Sequence, residues 1–157
     1  MGRTTLKSTE YTLAFPFTKD EHGVIDGVFL IRKNRPKWQA GKLNGIGGHV
    51  ESGEGFYECC TREVFEEAGI VPAASYEWYL TMTFPDAQVS VFYALLTKTE
   101  RKAVRSKTDE QVEWIALADI HALRHEMIDN TPWMIYAALN GIESQWKPYI
   151  QAVYSRE

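Results

Sequence analysis

One stretch of the sequence, residues 48–70 (GHVESGEGFYECCTREVFEEAGI), constrains the fold more than any other. It begins with a glycine turn at Gly48, passes through a short acidic loop, and then contains no helix breaker from Gly55 to Ala68. Glycine lets the backbone approach a neighbour closely, and Gly69 stands where a left-handed residue commonly ends a helix. The stretch therefore predicts a turn, a loop, and a helix from about residue 55 to residue 68.

The predicted helix concentrates carboxylates on one side. At about 100° per residue, Glu63, Glu66 and Glu67 fall within an arc of roughly 100°. Like charges at this spacing destabilise a helix, so a cation should neutralise them. Arg62 can take one carboxylate but not three, whereas Mg²⁺ commonly pairs carboxylates with substrate phosphates. The alternative is a solvated acidic helix face, and the helix alone does not decide between the two interpretations.

The spacing of the whole stretch resembles the Nudix box. Its matching positions are Gly48, Glu54, Arg62, Glu63, Val64, Glu66, Glu67, Gly69 and Ile70. The chain is therefore identified as a member of the Nudix hydrolases, which cleave nucleoside diphosphates linked to another moiety. The resemblance implies an α/β fold, the Nudix-type α/β/α sandwich with a mixed β-sheet and a catalytic loop-helix-loop.

The same resemblance implies a metal site and a mechanism. Its metal ligands are Gly48, through the backbone carbonyl, and Glu63, Glu66 and Glu67. Arg62 and Glu54 orient the box. The implied cofactor is magnesium, Mg²⁺, for which Mn²⁺ can substitute, and it offsets phosphate charge and activates the attacking water. A glutamate accepts the proton, and the sequence does not decide which one.

Composition predicts a single domain covering residues 1–157. The 45% hydrophobic and 24% charged content is ordinary for a globular protein, and a net charge of −4 excludes a basic surface for nucleic-acid polymers. Cys59 and Cys60 are adjacent, with neither metal-ligand spacing nor disulfide geometry, and no apolar run reaches membrane-spanning length. We expect a cytoplasmic monomer or homodimer that binds a small-molecule nucleotide and no membrane.

Apolar runs predict strands around the central helix. They cover residues 11–17, 27–32, 43–48, 76–84, 88–98 and 112–117. Pro16 suggests that the first is an edge strand or ends early. The charged segment 99–108 is predicted to be mobile, a helix is predicted to begin at Thr131 and stop at Asn140, and residues 145–154 are predicted to form a further short helix.

Two segments resemble the base pocket of oxidised-purine nucleoside triphosphatases, a MutT-like branch of the family. Asn44 stands where an asparagine meets the base, and Asp129 with Asn130 stands where paired aspartates precede an aromatic, here Trp133. Leu43 replaces a tryptophan of that pattern, which leaves the preference for an oxidised base open. The alternative role of Asn130 is that of a residue at the start of a helix.

Two more candidate residues lie outside these segments. Trp38 belongs to the basic loop 33–42, which is either a phosphate- or base-facing lip or a solvated connection. In the first case Trp38 is a candidate for stacking on the base. Glu110 resembles the extra carboxylate that MutT-like members supply from a loop before a strand, with a surface acid as the alternative.

The substrate branch is the least constrained inference. The MutT-like resemblance implies hydrolysis of a nucleoside triphosphate, purine-type and oxidised or deoxy, to the monophosphate and pyrophosphate. Pro85 lies where ADP-ribose hydrolases carry a proline, although Pro85-Asp86 also suits an ordinary turn. ADP-ribose or other nucleoside-diphosphate hydrolysis is therefore one alternative, and a nucleotide-sensing domain without turnover is another. The complete set of box carboxylates favours an enzyme.

Overall fold

The computed structural model describes residues 7–156. Within this range the strands are β1 Thr9–Lys19, β2 Ile25–Arg32, β3 Leu43–Asn44, β4 Ile46–His49, β5 Glu77–Thr83, β6 Ala87–Leu95, β7 Gln111–Ala116 and β8 Ile150–Val153. The α-helices are α1 Phe56–Ala68, α2 Lys98–Ala103, α3 Ile120–Leu123 and α4 Thr131–Glu143. Short 3₁₀ turns, Leu117–Asp119 and Arg124–Glu126, flank α3.

The strands form one mixed sheet. Its main order is β3-β2-β1-β6-β5-β8, while β4 pairs with β1 and β7 pairs with β2. The β1–β6 and β5–β8 pairs are parallel, and the other pairs are antiparallel. The strands of the β1–β2 and β5–β6 pairs are consecutive in the chain and form antiparallel hairpins.

Successive side chains of a strand point to opposite faces of the sheet. Both faces carry apolar side chains here, and helices cover both. On β2, Val28 and Leu30 belong to one core cluster, whereas Phe29 and Ile31 belong to the other. Helix α4 packs on the first cluster through Met134, Ile135 and Ala138. Helix α1 packs on the second through Cys60, Val64 and Ala68. The predicted α/β/α sandwich is confirmed.

The expectation that Pro16 marks an edge or an early end is wrong, because β1 lies at the centre of the sheet. The Phe17 carbonyl accepts a hydrogen bond from the Leu96 N–H on the β6 side. The nitrogen of Pro16 therefore faces the opposite edge of β1. On that edge the pairing with β4 ends at Ala14 and the pairing with β2 starts at Phe17, so Pro16 lies in the gap between the two. A residue without an N–H costs no ladder hydrogen bond in that gap.

Three predictions after the central helix also need correction. The prediction that segment 99–108 is mobile is wrong for its first part, which belongs to helix α2. A capping box stabilises the start of this helix: the Thr97 side chain accepts from the Glu100 N–H, and the Glu100 side chain accepts from the Thr97 N–H. Helix α4 continues past Asn140 to Glu143. Residues 145–154 contain no helix; residues 150–153 form β8, which pairs with the edge of β5. Within residues 7–156, no helix combines the length and apolarity required to cross a bilayer.

Candidate active site

The loop between β4 and α1 depends on two glycines that approach other groups closely. Gly47 and Gly48 pair with Leu13 and Thr12 of β1. A Cβ on Gly47 would overlap the Thr12 carbonyl oxygen, and a Cβ on Gly48 would lie 2.5 Å from Glu63 Oε1. Only glycine fits at Gly47, where the obstacle is backbone, whereas a side chain at Gly48 would have to displace the Glu63 carboxylate. The strand therefore places the Gly48 backbone directly against a carboxylate of α1.

Helix α1 begins and ends close to the predicted positions. Its N-cap is Gly55, and Gly69 ends it in the left-handed conformation at φ 74°. Its buried face contains Cys59, Cys60, Val64 and Ala68, whereas Tyr57 is half exposed. The helix therefore turns its carboxylates toward the β4 loop while its apolar face holds it on the sheet.

Arg62 organises the acidic groups of this loop-helix-loop. Its guanidinium forms a two-pronged ion pair with Glu54, with Nε–Oε2 at 2.6 Å and Nη2–Oε1 at 2.9 Å. It also donates to the His49 carbonyl oxygen at 3.0 Å, which ties α1 to the end of β4. The hydrogen bonds from Arg62 lower the pKa of Glu54 to about 2.

The expectation that Arg62 neutralises a single carboxylate is wrong. Nη1 also donates to Glu63 Oε1 at 2.9 Å and to Glu66 Oε2 at 3.2 Å. A planar guanidinium carries five N–H donors, and Arg62 is central enough to use them on three glutamates at once. Glu67 is the remaining box glutamate.

The Glu54–Arg62 pair predicts a stability difference that depends on pH. The pKa of Glu54 is depressed from 4.5 to about 2, so its contribution is complete above pH 4.5 and is lost as the pH falls toward 2. Glu54→Gln should lower the Tm at pH 7 by about 2–4 °C, which corresponds to roughly 1 kcal/mol for a partly solvated pair. Calorimetry at pH 7 and pH 3 should show this difference shrinking at the lower pH; an equal difference at both would contradict the pairing.

Glu67 differs from the other box glutamates in its surroundings. Its Oε2 atom is buried and has no hydrogen-bond partner among the described residues. Burial, followed by the charge of Glu63, raises the pKa of Glu67 to about 8, and Lys33 acts in the opposite direction. Burial also raises the pKa of Glu63, although Arg62 opposes that shift. Glu67 is thus a desolvated carboxyl group of which one oxygen, Oε2, has no hydrogen-bond partner among the described residues, while a backbone hydrogen bond from Gly47 acts to lower its pKa.

The residues of the loop-helix-loop suit a divalent cation by their chemistry. Carboxylate and carbonyl oxygens are the donors that Mg²⁺ prefers. Glu67 Oε2 has no hydrogen-bond partner among the described residues, and Gly48 carries no side chain that would fill the space beside Glu63. However, within residues 7–156 no three His, Cys, Asp or Glu side chains converge on one metal position. The physical reason is that Glu63 and Glu66 are bound to Arg62.

Glu110 is buried, with 5% of its surface exposed, so the alternative of a surface acid is wrong. It accepts hydrogen bonds from Lys33 Nζ at 2.9 Å and from the Asn34 N–H at 2.6 Å. Burial acts to raise the pKa of Glu110, but these hydrogen bonds outweigh it and the pKa is lowered. Its charge also raises the pKa of Glu67, so Lys33 and Glu110 form a charged pair beside that carboxyl group. A role as an extra catalytic carboxylate stays a prediction.

A cavity of about 590 Å³ adjoins Gly47 and Gly48, which lie in strand β4 and not in the turn that the sequence predicts. Its lining includes Lys33, Trp38, Gln39, Asn44, Gly48, Met82, Phe84, Asn130 and Tyr154. The cavity therefore brings three predicted residues, Asn44, Trp38 and Asn130, together with Gly48. Loop 33–42 lies on this cavity rather than forming a connection away from it.

Two predicted base-pocket residues do not line this cavity. Asp129 is exposed and Trp133 retains 43% of its surface exposed on the outside of α4. The helix begins one residue after Asn130, so its first turn directs Trp133 outward while Asn130 stays on the cavity side. The expectation that Asp129 and Trp133 belong to the base pocket is therefore wrong for this cavity.

The two amides of the cavity are held differently. Asn44 is buried; its Oδ1 accepts from the Gly45 N–H at 2.8 Å and from Thr131 Oγ1 at 3.4 Å, and its Nδ2 lies 3.4 Å from Gln39 Oε1. Asn130 is the N-cap residue of α4, but its side chain forms no capping hydrogen bond. Its Nδ2 lies 3.4 Å from the Met82 sulfur, so the amide faces the cavity.

Several lining residues were not singled out from the sequence. Lys33 lies in the basic loop, and its charge was the signal that could have selected it. Gln39 has no distinguishing pattern. Phe84 and Tyr154 meet only because β8 pairs with β5, and a contact between segments this far apart leaves no local signal.

Comparison with known proteins decides the family. The sequence profile of the NUDIX domain matches residues 11–135, which is more than half of the chain. The chain belongs to the Nudix family. Nudix hydrolases act on phosphoanhydride bonds of nucleotides and generally require a divalent metal. The box residues described above all lie within the matched range.

Individual relatives of this Nudix chain include a sequence relative and several solved structures. It is 30% identical over 96 residues to the 8-oxo-dGTP diphosphatase of Escherichia coli (strain K12), covering 60% of this chain and 74% of that protein. The Nudix domain of Shewanella oneidensis NrtR, solved with ADP ribose, is similar at a TM-score of 0.72 and 17% identity, covering 86% of this chain and 88% of that one. A Nudix hydrolase from Nitrosomonas europaea has a TM-score of 0.67 at 15% identity, covering 95% and 80%. At these identities the structural matches establish the fold alone.

Proposed function

We propose that this Nudix protein hydrolyses a purine nucleoside triphosphate, including deoxy or oxidised forms, to the monophosphate and pyrophosphate. The observation that carries the proposal is the continuity of one cavity from Gly48 on β4 to the amides of Asn44 and Asn130. Such a cavity can take a ligand with phosphates at one end and a hydrogen-bonding ring at the other.

At the phosphate end, the chain supplies a cation and a buried carboxylate. Lys33 lines the cavity with its ammonium group held by Glu110, where it can attract phosphate oxygens. The Gly48 backbone, Glu63, Glu66 and Glu67 would hold the divalent cofactor, Mg²⁺. When bound, the cation offsets phosphate charge and activates water.

Glu67 is the proposed proton acceptor among the box glutamates. Its Oε2 is buried and unpartnered in the described structure, whereas Glu63 and Glu66 are bound to Arg62. Because no hydrogen-bond donor occupies this oxygen, it is free to accept a proton from the attacking water. Arg62 and Glu54 act by positioning α1 against β4.

At the base end, two amides and one aromatic ring are available. Asn44 and Asn130 each carry a donor and an acceptor that can read the edge of a purine. Trp38 is 66% exposed on the lip of the cavity, where an indole ring can cover the face of a base. The sequence similarity to an 8-oxo-dGTP diphosphatase supports this substrate class. The cytoplasmic nucleotide pool would supply such a substrate.

A second candidate, hydrolysis of ADP-ribose or another nucleoside diphosphate derivative, has its own support. Pro85 lines the cavity, and the structurally similar NrtR domain was solved with ADP ribose. A non-catalytic nucleotide sensor is the third candidate. Steady-state turnover with Mg²⁺, measured on purine and pyrimidine triphosphates, 8-oxo-dGTP and ADP-ribose, separates all three. We expect the highest kcat/KM for a purine triphosphate; a higher value for ADP-ribose, or binding without turnover, would contradict the proposal.

A further inference from the structure

Residues 154–156, named here the post-β8 segment, form one side of the cavity. Lys33, Pro36 and Trp38 of loop 33–42 also line the cavity, and this loop connects β2 to β3, at the other end of the strand order from β8. The segment comes to the cavity only because β8 runs parallel to β5 and ends beside its last residues. The cavity therefore has an aromatic side that neither the Nudix box nor the base-pocket pattern includes.

Tyr154 is held firmly in this position. Val153 pairs with Thr83, and the Tyr154 N–H donates to the Thr83 carbonyl oxygen at 2.8 Å. The ring of Tyr154 stacks on Phe84 with centroids 4.6 Å apart and planes 10° from parallel. Even so, 37% of Tyr154 remains exposed, so part of the residue is available to a ligand.

Arg156 adds little to this anchoring. Its Nη2 lies 3.2 Å from Asp86 Oδ2, and both side chains are more than 70% exposed. Ion pairs this exposed contribute little to stability. The position of the segment is therefore set by the strand pairing and by the ring stack, and Tyr154 is the residue to which a role can be assigned.

The floor between the two sides is apolar. Leu13, Val89 and Met82 come from the neighbouring strands β1, β6 and β5 and line the cavity together. Four strand steps separate β4 from β8, a span of roughly 19 Å at about 4.8 Å per step. A ligand with its phosphates at Gly48 thus lies across an apolar floor toward Tyr154.

We propose that Tyr154, held against Phe84, contacts the nucleobase and is a specificity-determining residue that favours purines. An apolar floor ending in an aromatic ring suits a flat heterocycle, because every base presents a π-face. A purine covers more of the floor between loop 33–42 and Tyr154 than a pyrimidine does. The inference rests on the proposed function for the ligand class, a nucleotide, but not on which bond is cleaved.

Binding of monophosphates isolates this contact, because they contain no phosphoanhydride bond and are not hydrolysed in the presence of Mg²⁺. Calorimetric titration with AMP, GMP, CMP and ribose 5-phosphate should show that Tyr154→Ala raises the Kd for the purines about tenfold. The Kd for CMP should change less, and the Kd for ribose 5-phosphate, which has no base, should be unchanged. Tyr154→Phe keeps the ring and should bind within about twofold of the wild type. Trp146→Ala, on an exposed residue that does not line the cavity, is the matched control.

The inference is overturned if Tyr154→Ala leaves purine binding unchanged, or weakens all four ligands equally, as general damage to the cavity would. It is also overturned if the wild type binds AMP and GMP no better than ribose 5-phosphate. Failure of the proposed function has a different signature: no triphosphate is hydrolysed, while base-dependent binding still requires Tyr154.

Discussion

Glu67→Gln should lower kcat at saturating Mg²⁺ by at least about a hundredfold. The substitution preserves size but removes the charge and the proton-accepting oxygen at the buried position that has no partner within the described structure. Loss of general-base or metal-assisted catalysis typically costs this much. The measurement is steady-state turnover of the best triphosphate over a range of Mg²⁺ concentrations.

Glu58→Gln is the matched control for this variant. Glu58 belongs to the same helix but is exposed in its first turn, so the same chemical change there should leave kcat within about twofold. Thermal unfolding of Glu67→Gln should show no loss of stability, because the amide matches the carboxyl group in size and carries no charge that burial would destabilise. Near-wild-type turnover by Glu67→Gln would remove Glu67 from the proposed machinery.

Asn44→Ala should lower kcat/KM for purine triphosphates by up to about a hundredfold, mainly through KM. A hydrogen bond lost from a buried pocket costs on the order of 1–3 kcal/mol, and a binding loss shows in KM rather than in kcat. Pyrimidine triphosphates, which reach less of the purine-reading edge, should lose less. The ratio of kcat/KM values for purine and pyrimidine substrates is the quantity to measure.

A structural contribution has to be separated from this effect, because Asn44 Oδ1 also accepts from the Thr131 hydroxyl. Thr131→Val removes that hydroxyl at the buried start of α4 without altering Asn44. This control should lower the Tm but leave the purine-to-pyrimidine ratio unchanged. If Asn44→Ala reduces kcat/KM equally for every nucleotide, Asn44 acts only in the structure.

The predictable part of the site is local in sequence. The positions of Glu63, Glu66 and Glu67 follow from one helical repeat, and Gly69 ends that helix as its residue type indicates. The number of carboxylates that Arg62 binds could not be read in the same way. It depends on Glu54 folding back from the loop onto the helix, which is a property of the packed structure.

The mistaken predictions share a physical cause, which is that contacts between distant segments override local pattern. Residues 145–154 carry apolar residues at mixed spacing, and the open edge of β5 converts their end into a strand. Tyr149 is fixed there by its hydroxyl, 2.6 Å from Thr81 Oγ1. Helix α2, in contrast, could have been predicted, because Thr97 and Glu100 have the spacing of a capping box.

The same distinction explains the base pocket. Asn44 and Asn130 were identified by resemblance to a pattern. They line the same cavity, and the Ile128 N–H, which donates to the Leu43 carbonyl oxygen at 3.0 Å, holds their two segments together. Trp133 was selected as a large ring near that segment, but the helix that starts at Thr131 carries it outward. Its orientation depends on the residue at which α4 begins.

Phosphorus NMR of the products tests most directly whether a purine triphosphate is hydrolysed between its α- and β-phosphates, as proposed. With GTP or its deoxy or 8-oxo form, Mg²⁺ and the wild-type protein, we expect monophosphate and pyrophosphate in equal amounts and no nucleoside diphosphate. Glu67→Gln should give neither product on the same timescale. Release of inorganic phosphate with nucleoside diphosphate, or conversion of ADP-ribose alone, would contradict the account.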